Sequence, residues 1–199
     1  MPKNSILAGI FISLGCITYI QVENKYLGAL LFSLGLLSVC INHCSLYTGM
    51  AGFCRTANDF KRLIDAFCGN IVGCAIVMSF SYFIIDLDKA QSIAASKMAT
   101  PFVLFFLKSI FCGGLMYVGV RCYQSMRVLG TVMAVMVFIL CGFEHSIADT
   151  FYLFAGNTSL ANIPLIVCMI SVAALGNLLG ALGLSYLNDE GIGPAQRTR

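Results

Sequence analysis

Gly142-Phe143-Glu144-His145-Ser146-Ile147-Ala148-Asp149 breaks a long apolar stretch with a glutamate and a histidine, in a chain of 199 residues that is 59% hydrophobic and only 11% charged. A full charge at membrane depth costs between ~3 and ~17 kcal/mol, so ionisable residues there face a cavity or a permeation path. The stretch therefore predicts a membrane helix interrupted beside a pore.

The sequence around it sets the class. Mean hydropathy is +0.88 and no segment reads as a soluble domain, which makes the chain an all-α polytopic membrane protein. Its apolar segments are long and nearly free of charge, whereas a β-barrel would alternate apolar and polar residues. Six spans fit: Ile6 to Ile20, Tyr26 to Asn42 with a break after it, Ile64 to Ile85, Pro101 to Val120, Val128 to Gly142 with a break after it, and Ile163 to Leu187. Cytoplasmic loops carry the Lys/Arg excess. With both termini cytoplasmic, Lys3, Arg55, Lys61, Arg62, Arg121, Arg127, Arg197 and Arg199 fall inside, against Lys25, Lys89 and Lys97 outside. The expected location is the cell (inner) membrane, with lipid as the solvent. The net charge of +3 reflects this topology, and basic residues scattered over short loops give no nucleic-acid surface. Lys3 and the Ser13-Leu14-Gly15-Cys16 stretch resemble a processing signal only weakly, so the first span is expected to be retained.

The chain repeats itself. Gly69-Asn70-Ile71-Val72-Gly73 in the third span and Gly176-Asn177-Leu178-Leu179-Gly180 in the sixth share one pattern, and each follows an interrupted span. The first interruption runs from Asn42 to Gly49 and the second holds Glu144 and His145; the chain's two histidines, His43 and His145, both fall in these breaks. Three spans followed by three, with equivalent breaks, predict an inverted 3+3 repeat within a single channel domain, residues 1–90 forming the first half and 91–199 the second. Unwound backbone inside a membrane is tolerated only where it is buried in protein or lines a watered cavity. Two such breaks are expected to meet near the midplane and frame one site. The glycines four apart in each repeat are expected to let helices pack closely.

Ten cysteines are present, most of them within apolar segments. Cys40, His43 and Cys44 share a helical spacing suited to a soft metal, but a fourth ligand is missing, so no metal site is expected and the thiols read as small packing residues. No nucleotide loop, zinc-protease motif or catalytic triad is present, so neither an enzyme nor a cofactor is expected.

Taken together, these motifs resemble the formate/nitrite transporter family. The resemblance runs through nearly the whole chain and rests on Gly142 to Ala148, close to the family's fifth-span signature, and on Gly176 to Gly180, close to that of its sixth. It implies an aquaporin-like homopentamer of six-span protomers, each with its own pore for small monovalent anions of weak acids such as formate, nitrite or hydrosulfide. By the same resemblance Phe32 and Leu36 belong to the cytoplasmic part of the pore, while Leu46, Tyr47 and Thr48 form the loop of the broken second helix. Phe138 builds the opposite, periplasmic constriction, Lys97 stands on the outer side near the start of the fourth span, and His145 is the central histidine. Two positions depart from the family pattern, which has asparagine at both: Gly113 removes a side-chain donor near the site, and Asp149 adds a negative charge one turn from His145. By the same comparison the chain is expected to be shorter than typical members and to have no leading amphipathic helix.

On this reading Lys97 concentrates the anion by Coulomb attraction and the apolar rings oppose bare charge by desolvation. A proton passing from His145 to the anion lets it cross as the neutral acid, so transport is expected to depend on pH. Glu144 is expected to cap half-helix amides at the break. His43, outside the family pattern, is expected to be structural. Lys108, well inside the fourth span, faces either the vestibule or a neighbouring protomer. The alternative is an aquaporin-like pore for neutral small solutes, which the departures at Gly113 and Asp149 favour. A membrane redox protein would need the Cys-x-x-Cys pairs that the chain lacks.

Overall fold

The computed structural model describes residues 2–157 and 159–191; Arg197 and Arg199, counted above among the inner charges, lie outside them. The described residues form helices and no strand. In chain order they are α1 (Lys3–Gln21), α2 (Lys25–Ile41), the short α3 (Tyr47–Met50), α4 (Ala57–Ile84), α5 (Asp88–Met98), α6 (Phe102–Gln124), α7 (Val128–Leu140), α8 (Ser146–Ala155) and α9 (Ile163–Gly191). Among the described residues four helices are long and apolar enough to cross a membrane: Lys3–Gln21, Ala57–Ile84, Phe102–Gln124 and Leu160–Asn188. The shorter apolar helices α2 and α7 are each followed by an irregular stretch and then by a further short helix. The chain is a multi-pass membrane protein.

Local chemistry sets the helix ends. Thr56 and Asp59 form a reciprocal capping box that starts α4 at Ala57, seven residues before the expected span, because the two orphan amide donors are satisfied there. Asn24 caps α2 by accepting from Tyr26 and Leu27. The breaks end α2 and α7 in the same way. His43 (φ 50°) and Gly142 (φ 64°) are both left-handed. In each case the next amide reaches back five residues, Cys44 to Val39 and Phe143 to Phe138, both at 2.9 Å, the Schellman arrangement that satisfies terminal carbonyls.

The long helices pack in two pairs, α1 on α4 and α6 on α9, and glycines make the approach possible. A Cβ at Gly9 would fall on the carbonyl of Asn70, and one at Gly113 on the carbonyl of Asn177; likewise Gly73 faces the carbonyl of Ile6 and Gly180 that of Ile110. These close approaches of the first pair recur in the second. Gly113 is therefore a packing residue against α9, and any side chain there collides with backbone. Large apolar side chains on the outside, Phe83, Val103 and Leu129 among them, are suited to lipid.

One helix is not foreseen by the sequence reading. The stretch between the third and fourth spans, expected as an outer loop, contains α5, started by Asp86 accepting the amide of Asp88. Ala90 and Ala94 are buried one turn apart and let α5 lie on α8. Lys97 belongs to the last turn of α5, not to the start of the span that follows.

Candidate functional site

Each break is held by the asparagine of one Gly-Asn repeat. Asn70 is wholly buried; its amide donates to the carbonyls of Ser5 at 2.7 Å and Ser45 at 2.9 Å, and its Oδ1 accepts from the amide of Tyr47 at 2.8 Å. Asn177 does the same in the second half, donating to Ser109 and Glu144 and accepting from Ser146 at 2.9 Å. Two of the three bonds of each side chain go to backbone that unwinding has freed and the third ties the break to a carbonyl of α1 or α6, so the polar groups buried in this apolar interior are paired. The sequence reading gave these asparagines only the packing role of their neighbouring glycines. Their recurrence beside both breaks was the signal.

The two breaks meet through side chains. Thr48 Oγ1, just after the first break, lies 2.8 Å from Nε2 of His145, at the end of the second. His145 Nδ1 accepts the amide of Ala148 at 3.2 Å and so caps α8 as its N-cap residue. A nitrogen that accepts an N–H carries no proton, which assigns the neutral ring's proton to Nε2 and makes Thr48 its acceptor. The threonine's own hydrogen is then left for another acceptor. Both residues are buried.

Two cavities approach this pair from opposite sides. One, of about 330 Å³, is walled by Phe32, Phe138, His145, Asp149, Glu144 and Lys97. The other, of about 700 Å³, is walled by Leu46, Gly49, His43, Arg62 and Tyr123. Phe32 and Phe138 meet edge to face with centroids 5.6 Å apart, and Phe138 stacks on the His145 ring at 5.4 Å. The arrangement is an apolar plug of Phe32 and Phe138 packed against the Thr48–His145 pair.

Electrostatics in the smaller cavity differ from expectation. Lys97 Nζ makes an ion pair with Glu144 and a second with Asp149 Oδ1 at 2.8 Å; the three side chains are 14%, 3% and 2% exposed. Lys97 is thus not a free cation collecting anions. Glu144 is not a helix cap either: its carboxylate serves Lys97, and the capping falls to His145 and Asn177. Lys89, also in the cavity wall, donates to the carbonyls of Tyr19 and Val22 at 2.8 Å, closing the end of α1. Lys108 lines the same cavity.

The formate/nitrite transporter family model matches residues 2–187 of the sequence. The chain belongs to the formate/nitrite transporter family. Among curated relatives it is 25% identical over 173 residues to the nitrite transporter NirC of Salmonella typhimurium and 27% identical over 173 residues to that of Escherichia coli, covering 73% of this chain and 64% of each relative. The chain spans somewhat less than two thirds of the length of these relatives. Among solved structures it resembles one described as an FNT family ion channel, with a TM-score of 0.83 at 22% identity over 96% of this chain and 89% of that one. It also resembles one described as a pentameric formate channel with formate bound, with a TM-score of 0.70 at 22% identity over 94% and 91%. These two show the fold.

Within this formate/nitrite transporter fold the residues expected along the pathway separate into groups. His145, Thr48, Phe138, Phe32, Asp149 and Lys97 lie at the central pair or in the smaller cavity, and Leu46 lies in the wall of the larger one. Phe32 was expected at the opposite end from Phe138; instead the two touch, because α2 and α7 run side by side. Leu36 is fully buried and close to where a Cβ on Gly119 would stand, outside both cavity walls. Tyr47 turns away, its hydroxyl donating to the carbonyl of Ala174 at 2.9 Å and its ring lying against Phe67 at 4.9 Å. Gly113 faces α9 and not the passage. His43 is exposed at the rim of the larger cavity, where its backbone conformation is the notable feature. No group of three potential metal ligands occurs among the described residues.

Proposed function

We propose that this chain is a channel or transporter for small monovalent anions of weak acids, with formate, nitrite or hydrosulfide as substrate. The reading includes six spans in an inverted 3+3 repeat, residues 1–90 and 91–199, a homopentamer with a pore in each protomer, and insertion in the inner membrane with both termini cytoplasmic. The observation that carries it is the Thr48–His145 hydrogen bond, since it gives one donor group, the threonine hydroxyl, at the point where two water-accessible cavities are separated by aromatic and aliphatic side chains. A bare anion cannot pass Phe32, Phe138 and Leu46 without losing hydration worth several kcal/mol. It passes when it takes up a proton or shares one along a hydrogen bond, and this meeting of proton and anion takes place at the level of His145. Flux therefore rises as the external solution is acidified.

Liposomes holding the purified protein provide the test: formate or nitrite uptake faster at acidic than at neutral pH, with that response altered by His145→Phe, supports the reading. Equal, pH-insensitive flux of formate and glycerol that ignores the substitution overturns it. A neutral small-solute pore is the second reading, and one observation favours it: with both carboxylates ionised, the Glu144–Lys97–Asp149 cluster bears a net negative charge at the mouth of the passage, which repels anions.

A further inference from the structure

Glu144, Lys97 and Asp149 form an odd-numbered charge group. One ammonium faces two carboxylates, and acceptors on a common ammonium lie within two hydrogen-bond lengths of one another, about 6 Å at most. Asp149 Oδ1 is taken by Lys97, whereas Asp149 Oδ2 is fully buried and has no hydrogen-bond partner. Among the described residues Lys97 is the one cation paired with Asp149. Cys16 from α1, Cys112 from α6 and Tyr152 from its own helix are the titratable neighbours beyond the cluster, and all three are uncharged thiol or phenol groups when protonated. Lys89 is engaged with the end of α1, His145 is committed to Thr48 and Ala148, and Lys108 is elsewhere in the cavity wall. An uncompensated carboxylate in such a place is costly, and two carboxylates sharing one site hold a proton between them.

We infer that the Glu144–Lys97–Asp149 cluster holds one exchangeable proton, seated on the carboxyl pair at Asp149 Oδ2, and is the store from which the permeating anion is protonated. The inference rests on the anion reading above and deepens it by naming the proton's source. With the proton in place the cluster is neutral, so the repulsion of anions noted above disappears. The step balances simply. The O–H bond at Asp149 breaks as an O–H or S–H bond forms on the anion; the neutral acid moves on past His145, and the negative charge stays on the carboxyl pair until a proton from the cavity's water replaces it. Ser92, Ser96 and Thr100 supply hydroxyls along the cavity wall for that return. His145 keeps its neutral form throughout, consistent with a ring whose Nδ1 is occupied by the amide of Ala148.

Two measurements on the full-length protein test this. In proteoliposomes, Asp149→Asn removes the store while leaving the Glu144–Lys97 pair, and the ratio of formate flux at pH 5 to that at pH 7.5 is expected to fall at least about tenfold, in keeping with the 10²- to 10⁴-fold that a positioned acid contributes. Infrared spectra of the wild type at neutral pH are expected to contain a protonated-carboxyl band that exchanges with deuterium and is absent from Asp149→Asn. Absence of that band in the wild type, or its survival in the variant, overturns the inference even if the variant transports poorly through misfolding. So does an unchanged flux ratio. A wild type that moves neither formate nor nitrite yet has the band would defeat the anion reading while leaving the proton site standing.

Discussion

Thr48 Oγ1, in the first turn after one helix break, and His145 Nε2, on the last residue of the other, lie 2.8 Å apart, and no other side-chain bond in the described residues joins the breaks directly. With Nδ1 engaged by Ala148, the ring donates and the threonine accepts, which turns the threonine hydrogen toward whatever passes. Substitution can separate the hydroxyl from its shape. Thr48→Val keeps the volume and leaves Nε2–H unpaired, a loss of ~1–3 kcal/mol, and is expected to lower formate or nitrite flux by about ten- to a hundredfold if felt in the barrier. Thr48→Ser is expected to stay near wild type. Equal rates for the valine and serine variants would remove the hydroxyl from the mechanism.

Asn177 governs where His145 sits. It binds the carbonyl before the histidine and the amide after it, so the ring's position follows from that side chain. Asn177→Ala strands the Glu144 carbonyl and the Ser146 amide in a dry interior; at ~1–3 kcal/mol for each stranded group, partly relieved by relaxation, the expected loss of unfolding free energy is about 3 kcal/mol. Asn70→Ala is expected to cost a similar amount at the first break. Denaturation in detergent, followed by loss of helicity, measures both, and a change below about 1 kcal/mol in either would contradict the bracketing role.

Much of this architecture is legible from Gly69-Asn70 and Gly176-Asn177 together with the two histidine-bearing breaks, because a membrane forces paired interruptions to be compensated by something close at hand. What escapes sequence reading is direction. Phe32 and Phe138 carry no mark that says they touch, Lys97 none that says its charge is already matched by Glu144 and Asp149, and Gly113 looks like a missing donor until Asn177 is found behind it. The polar side chains of α5 disguise a helix as a loop, since its buried face consists of little more than Ala90 and Ala94, and an alanine pair gives a weak periodic signal.

His43 and Gly142 occupy equivalent left-handed positions with unequal residues. A side chain in that conformation costs ~1–2 kcal/mol, and glycine returns part of this through the greater freedom of the unfolded chain, ~0.5–1 kcal/mol. His43→Gly is therefore expected to stabilise the protein by about 0.5–1 kcal/mol, while Gly142→Ala, with open space around its would-be Cβ, is expected to destabilise it by a comparable amount through backbone strain alone. Thermal unfolding of the two variants under one detergent condition checks the opposite signs.

Lys97 and Lys108 share one cavity and are expected to fail in different ways when neutralised. Among the described residues Lys97 is the one counter-charge of two buried carboxylates, so Lys97→Gln removes one partner of a buried ion group and is expected to cost about 3–5 kcal/mol of stability. Salt should do little to change that cost, because the group is shielded from solvent. Lys108 is half-buried and makes no ion pair among the described residues, so its charge projects into the cavity and its water. A cation so placed raises the local anion concentration by an amount that falls with ionic strength, since the screening length shrinks from ~30 Å at 0.01 M to ~10 Å at 0.1 M. Lys108→Gln is accordingly expected to leave the unfolding transition in place and to slow anion uptake severalfold in dilute buffer, with the deficit closing as salt is added. A Lys108→Gln deficit independent of salt would show that the residue acts by contact and not by field. A stable, salt-sensitive Lys97→Gln variant would return the recruiting role to Lys97.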